Sequence, residues 1–275
     1  MRTYSGRVVV ITGAAGGLGA ALVHAFLQAD ARVLALDREP LALIALQANC
    51  SHRRGSDTTR LLTRVCDVTD RTACEAAMAF ADAQFGGVDV LVNNAGIAHR
   101  SAFADTRIDV LRRVMDVNFF GAVHCTHAAL PSLRARKGQI ITISSVAGFS
   151  PLIDRTGYAA SKHALHGFFD SLRTELEDDG VDVMLVCPSF IATGIDKAAL
   201  GADGQPAAQG RKMTGGQTQP AEAAGAILAA ARARRKLLLF SFTSKAAWWL
   251  SRLWPTRYAS IMKRRLQSEI SQSAS

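Results

Sequence analysis

Short apolar runs recur along the chain at positions 7–12, 32–37, 61–67, 88–93, 139–144, 181–187 and 236–240. Most are rich in Val, Ile and Leu and show little polar alternation, the pattern of strands covered on both faces. Segments at 17–29, 71–85, 103–130 and 158–176 are long enough to be crossover helices. Strand, helix and strand at this spacing predict an α/β fold, a Rossmann-type doubly wound parallel sheet in three α/β/α layers. No linker rich in Pro, Gly or Ser divides the chain before Pro188, and no solenoid-period repeat occurs, so residues 1–240 read as one domain. Residues 194–220, GIDKAALGADGQPAAQGRKMTGGQTQP, are polar, Gly-rich and weakly periodic. They are expected to form a lid over a site, the alternative being a long surface loop.

Composition narrows the class. The 275 residues are 49% hydrophobic and 20% charged, which is enough apolar material for a full core and excludes a disordered chain. The five cysteines (Cys50, Cys66, Cys74, Cys125 and Cys187) are odd in number and widely spaced, without CxxC or CxxH pairs. A reducing, cytoplasmic setting is expected, and no metal site. The N-terminal MRTYSGRVVVITG lacks the apolar stretch of a signal peptide, and no uncharged apolar run of about 18 residues occurs.

The net charge of +9 is local. Ten basic residues fall between Arg232 and Arg265 with no Asp or Glu among them, while the remaining 22 basic residues nearly balance the 23 acidic ones. The same segment carries Trp248, Trp249 and Trp254. Residues 241–275 therefore read as a helical, basic extension that suits the boundary of an anionic membrane, with rings at the interface and Lys245, Arg252, Arg257, Lys263, Arg264 and Arg265 attracting its charge. The alternative is a helix that packs its Trp stripe on the domain or on a second subunit. Nucleic acid is not the expected partner, because Trp-Trp-Leu beside Leu-Trp-Pro fits an apolar contact better than a phosphate track.

Candidate chemistry begins after the first strand, at Thr12-Gly13-Ala14-Ala15-Gly16-Gly17-Leu18-Gly19. Glycines let a backbone turn tightly and approach a pyrophosphate, and the following helix N-terminus offers N–H groups to the anion. A tight turn alone is the competing reading. Asp37, ending the second strand, stands where a carboxylate can accept hydrogen bonds from both adenosine ribose hydroxyls and repel a 2′-phosphate. NAD is thus expected in preference to NADP, although Arg38 next door could meet such a phosphate; the competing reading of Asp37 is a helix N-cap ahead of Glu39 and Pro40. Further on, Tyr158-Ala159-Ala160-Ser161-Lys162 places a phenol and an ammonium four apart on one helix face. A nearby cation draws a phenol from its usual pKa of about 10 toward proton exchange at neutral pH. Ser145, thirteen residues before Tyr158, lies just beyond an apolar strand, where a hydroxyl can hold a substrate oxygen.

Taken together, these motifs resemble the classical short-chain dehydrogenase/reductase family. The match runs to about Phe240 and includes the Gly-rich turn, Asp67 in CDVT, Asn93-Asn94-Ala95-Gly96, Asn118 in VNFFG, Ser145, YAASK and Pro188 through Thr193. The resemblance implies Tyr158 as general acid/base and Ser145 as the residue that positions and polarises the substrate oxygen. It implies that Lys162 lowers the Tyr158 pKa and holds the nicotinamide ribose, and that Asn118 sustains a water-linked proton path. Asp67 and Val68 resemble adenine contacts; Asn94, Ala95 and Gly96 line the cofactor; Ile191 and Thr193 resemble the carboxamide-binding residues. The family's Pro-Gly after the sixth strand is Pro188-Ser189 here. The cofactor is still expected to bind, with the effect of that departure falling mainly on the lid.

The implied activity is NAD(P)-dependent interconversion of a secondary alcohol and its ketone or aldehyde, by a homodimer or homotetramer. His99, Phe103, Val146, Phe149, Phe190 and Ile195, with Ser145 and Tyr158, are expected to form the substrate pocket. This mostly apolar set leans toward a steroid, retinoid, terpene or aliphatic alcohol over a sugar. His99 is read either as orienting a polar substrate group or as a solvated loop histidine. Two other function classes compete: a non-catalytic dinucleotide-binding regulator or scaffold, against which the intact Asn118, Ser145, Tyr158 and Lys162 argue, and a nucleic-acid binder using the basic tail.

Overall fold

The computed structural model describes residues 3–53, 58–196, 198–207 and 217–274. Its centre is a parallel sheet of seven strands: β1 (Val8–Thr12), β2 (Arg32–Asp37), β3 (Leu61–Val65), β4 (Val90–Asn93), β5 (Gln139–Ile143), β6 (Asp182–Cys187) and β7 (Leu237–Leu239). They lie in the order β3-β2-β1-β4-β5-β6-β7. The apolar runs become strands because both sides of the sheet are covered. Val9 and Ile11 of β1 face one apolar layer, with Leu22, Phe26 and Ile227, and Val8 and Val10 face the other, with Met78, Leu133 and Phe169. The first layer comes from helices α1 (Gly17–Gln28), α2 (Pro40–Arg53) and α7 (Pro220–Arg232), the second from α3 (Arg71–Phe85), α5 (Gly121–Ala135) and α6 (Thr156–Glu175).

Strand order reverses between β1 and β4, whose register pairs Val9 with Val90 and Ile11 with Val92. The chain leaves these two strands in opposite directions, so a crevice opens at their carboxyl ends, where this class of sheet binds ligands.

The segment expected as one crossover helix at 103–130 is broken. A 3₁₀ turn (Phe103–Asp105) precedes α4 (Ile108–Met115), a π-helical turn (Asp116–Phe120) follows, and only then does α5 begin. A π turn widens the helix by one residue, which re-aims the side chain it carries, here the buried Asn118.

The extension beyond β7 is helical, as expected: α8 (Phe242–Leu253) and α9 (Pro255–Ala274). The Ser241 hydroxyl accepts from the Ser244 amide at 3.0 Å and caps α8. Trp248 departs from the membrane-facing role expected of it. Its ring packs edge-on against Phe149 at 5.0 Å and lies 5.6 Å from His166, with Arg252 stacked over it at 3.1 Å. Among the described residues no helix is long and apolar enough to cross a membrane.

Candidate active site

At the carboxyl ends of β1, β4, β5 and β6 lies a cavity of about 710 Å³. One end is the Gly-rich turn. Gly13 has φ +61°, and a Cβ there would sit 2.8 Å from the Ala95 Cα; a Cβ on Gly19 would collide with the Gly13 carbonyl oxygen. Only glycine lets the turn close this tightly against β4 and still lead into α1. Two side chains hold the turn in place. The Thr12 hydroxyl accepts from the amides of Asn94 and Ala95, each at 3.0 Å, and the Asn94 side-chain amide donates to the Thr12 and Gly13 carbonyls, each at 3.0 Å. The N-terminus of α1 has neither a side-chain cap nor an acidic residue in its first turn, so among the described residues no side chain caps the amides that this geometry offers to an anion.

Gly13, Gly16, Gly17, Leu18 and Gly19 line this end of the cavity. Ala15 does not line it; its amide donates to the Asp37 carboxylate at 2.9 Å. Asp37 and Arg38 are at the rim, with Asp67 and Val68 alongside. The Asp37 carboxylate also accepts from the Glu39 amide at 3.2 Å, a turn bond ahead of α2; since α2 starts at Pro40, Asp37 ends β2 and is not the N-cap of that helix. Arg38 pairs with Glu39 at 3.1 Å. Asn94, Ala95 and Gly96 lie beneath, and Pro188, Ile191 and Thr193 complete the wall. Ser189 sits where the family has glycine, yet it does not adopt a positive φ, and the Pro188 carbonyl accepts from the Val146 amide at 3.1 Å. The departure leaves the backbone lining the cavity. These residues fit a dinucleotide: a turn that admits a pyrophosphate, an uncapped helix end, and a carboxylate at the far rim.

The reactive groups stand in the same cavity. Ser145, extended at φ −169°, leads into the 3₁₀ turn Val146–Gly148, and its hydroxyl accepts from the Ala147 amide at 3.1 Å. Tyr158 and Lys162 project from α6. Burial pushes the Tyr158 phenol above its usual range; the neighbouring Ser145 hydroxyl and the Arg155 charge draw it down, and Asp196 pushes it up. Arg155 is thus a cation beside the phenol that the resemblance did not name, and the Lys162 ammonium, to which the resemblance assigned that effect, lies 5.7 Å from the centre of the Tyr158 ring. The Lys162 ammonium is buried, donates to the Ile143 carbonyl at 3.0 Å and has its pKa pulled down to about 8, chiefly by burial. Asn118 lies off the cavity lining, with both amide hydrogens engaged: Nδ2 donates to the Ile97 carbonyl and the Ser161 hydroxyl, each at 3.0 Å, and Oδ1 accepts from the Ile97 amide at 2.8 Å.

The expected substrate pocket is rearranged. Val146, Phe190 and Ile195 line the cavity; His99, Phe103 and Phe149 do not. Phe103 is 61% exposed on its 3₁₀ turn, and Phe149 is buried under Trp248. His99 is fully buried rather than solvated, with Nε2 2.8 Å from the Ser101 hydroxyl, and burial, with Arg155 nearby, holds its pKa below the usual value. Within the expected lid, Ala199 and Leu200 are buried. Leu200 pairs with His99 and packs on Val110 and Val114, so this stretch is anchored to the domain; residues 197 and 208–216 lie outside the described residues.

Several lining residues escaped the sequence reading. Arg155 and Asp196 form an ion pair at 3.1 Å across the cavity wall. Tyr258 and Met262 reach in from α9, and the Tyr258 hydroxyl lies 2.5 Å from that of Ser150, a bond spanning 108 positions. No local pattern marks a residue whose partner is that far away in the chain.

Comparison with known proteins agrees with this geometry. A family model for the short chain dehydrogenases matches residues 7–202. The chain is 38% identical over 274 residues to the Bos taurus dehydrogenase/reductase SDR family member 7B, covering 98% of this chain and 84% of that protein. It is 37% identical over 269 residues to an Anopheles gambiae dehydrogenase/reductase SDR family protein 7-like, covering 97% and 85%. Among solved structures, a short-chain dehydrogenase/reductase from Burkholderia phymatum in complex with NAD superposes with a TM-score of 0.82 at 25% identity, over 91% of this chain and 94% of that one. One from Burkholderia cenocepacia J2315 in complex with NADP has a TM-score of 0.79 at 24% identity, over 95% and 99%, a likeness of fold.

Proposed function

The chain belongs to the short-chain dehydrogenase family, oxidoreductases whose fold binds NAD or NADP, and from that premise we propose that it interconverts a hydrophobic secondary alcohol and its ketone or aldehyde, using NAD in preference to NADP. The observation that carries this reading is that Ser145, Tyr158 and Lys162 line the same cavity as an uncapped Gly-rich helix start. When bound, the dinucleotide supplies the hydride acceptor or donor. Gly13 to Gly19 and the α1 N-terminus would hold its pyrophosphate, Asp37 the adenosine ribose, and Ile191 and Thr193 the carboxamide. Ser145 holds the substrate oxygen, and Tyr158 takes or returns its proton at the phenol oxygen. An apolar substrate is favoured by the wall that Val146, Leu152, Phe190, Ile195, Ala247 and Met262 build. A panel of hydrophobic secondary alcohols, followed by absorbance of the reduced cofactor, tests the reading; turnover of sugars alone would refute it.

On cofactor choice, kcat/KM is expected to be higher with NAD than with NADP, and Asp37→Ser to reverse this in part. A 2′-phosphate would then no longer meet a carboxylate, and Arg38 could turn to it. Preference for NADP in the unaltered protein counts against the assignment.

A pH profile tests the Arg155–Asp196 pair. Alcohol oxidation needs the unprotonated phenol, so kcat/KM rises with pH through the Tyr158 titration. Arg155→Gln removes a charge that draws the phenol down and leaves Asp196, which pushes it up, so the rise should move to higher pH. Asp196→Asn should move it to lower pH. A profile that ignores both substitutions would mean that some other group titrates.

A further inference from the structure

We propose that the outer face of the α8–α9 hairpin docks the protein onto an anionic phospholipid surface, with the rim of the substrate cavity beside the contact. The hydrophobic-substrate reading supplies a purpose for this docking, and the evidence for it is separate.

The two faces of the hairpin are chemically distinct. On α8, with 3.6 residues per turn, Ser244, Ala247, Trp248 and Ser251 share one side. Ser244 and Ala247 line the cavity, Trp248 packs on Phe149 and His166, and Ser251 is half-buried. Phe242, Trp249 and Leu253 occupy the opposite side and are 84%, 62% and 58% exposed. Trp254 and Ile261 are also more than half exposed. On α9, Tyr258 and Met262 turn into the cavity, while Arg257, Lys263 and Arg264 are exposed. The hairpin thus closes one wall of the cavity with its inner side and offers solvent an apolar ridge bordered by cations. Exposed Thr243 and part-exposed Met262 both line the cavity, which puts its rim at the hairpin.

Charge selects the occupant. No Asp or Glu occurs between Arg232 and Arg265, so a symmetric contact with a second copy through this face would set cations against cations without a compensating carboxylate. The rest of the chain is nearly neutral overall, and in its most acidic stretch, Glu175 to Asp182, Asp179 and Asp182 already pair with Arg134 and Arg234. A nucleic acid would meet the cations but leave Phe242, Trp249 and Leu253 wet. An anionic bilayer satisfies both halves: headgroups take the cations, and the ridge enters the acyl boundary, where amphipathic rings such as Trp249 and Trp254 are favoured.

The test is flotation of the full chain with phosphatidylserine–phosphatidylcholine vesicles against phosphatidylcholine vesicles alone. Binding to the acidic vesicles is expected at low salt, weakening as the Debye length falls to about 8 Å. The combined Lys245→Gln, Arg257→Gln, Lys263→Gln and Arg264→Gln variant should bind about a hundredfold more weakly. Phe242→Ala, Trp249→Ala and Leu253→Ala together should remove the binding that survives salt. Both variants should keep the thermal unfolding midpoint and cofactor affinity of the parent, since none of these seven side chains lines the cavity. The proposal is overturned if the chain ignores acidic vesicles at low salt. It is also overturned if the triple apolar variant dissociates an oligomer in sedimentation without changing flotation, or if duplex DNA binds that variant as tightly as the parent and displaces the vesicles. Flotation needs no turnover: binding without activity on any hydrophobic alcohol would sink the substrate reading alone, and activity without flotation would sink the docking alone.

Discussion

Tyr158→Phe is expected to lower kcat by about 10²- to 10⁴-fold while leaving the affinity for NAD nearly unchanged. The substitution removes one hydroxyl. On the proposed reading, that hydroxyl exchanges a proton with the substrate oxygen, from a cavity lining it shares with Ser145. The Gly-rich turn, Asp37 and the Asn94 to Gly96 wall do not touch it, so cofactor titration by quenching of protein fluorescence should give the parent's dissociation constant. Burial raises the phenol pKa, so the parent holds its proton at neutral pH in the absence of cofactor and substrate. Retention of most activity by the phenylalanine variant would end the acid/base assignment.

Lys162→Ala should damage both properties, with kcat/KM falling by about 10²-fold or more and NAD binding about tenfold weaker. The ammonium is buried and donates to the Ile143 carbonyl at the end of β5. A Cβ on Gly96 would lie 3.7 Å from the Lys162 nitrogen and 3.2 Å from Asn118 Oδ1, so this charge stands against the backbone on which the cofactor is expected to rest. Alanine also leaves a buried carbonyl without its donor, a loss that costs stability by itself. Lys162→Met keeps the aliphatic stem and separates the two effects. If it restores the unfolding midpoint but not cofactor affinity, the charge holds the ribose. If cofactor binding is unaffected in both variants, that role is wrong and Lys162 serves the fold.

Strand positions were legible because strands buried on both faces leave uninterrupted apolar runs. The run at 32–37 coincides with β2, and the others extend one or two residues beyond their strands, because an apolar run does not mark where the ladder begins and ends. The helix at 71–85 is likewise marked in sequence, by Asp70, whose carboxylate accepts from the Thr72 and Ala73 amides, and by Gly86, left-handed at φ +78°. The break within 103–130 left no comparable mark, because a π turn is a choice of hydrogen-bond partner and needs no particular residue. Motif residues were legible for the same reason as the caps. A Gly-rich turn, a Tyr and Lys four apart, and a strand-end Asp are chemistry imposed on local geometry, and local geometry shows in spacing.

The amino-acid sequence by itself determined the parallel α/β sheet, the position of the Gly-rich turn, the Ser145, Tyr158 and Lys162 set and the concentration of positive charge in the last part of the chain, since each depends on residues close together or on one repeated pattern. Only the tertiary structure decided what closes the cavity. It paired Arg155 with Asp196 on the cavity lining that also holds Tyr158, buried His99 and Phe149 away from the cavity, and brought Tyr258 to Ser150. It also divided three tryptophans of identical composition and similar surroundings, turning Trp248 inward onto Phe149 and leaving Trp249 and Trp254 outside. The physical reason is the 100° turn between neighbours on a helix: it gives adjacent residues different faces, and which face meets the domain depends on the docking of α8, not on α8 itself.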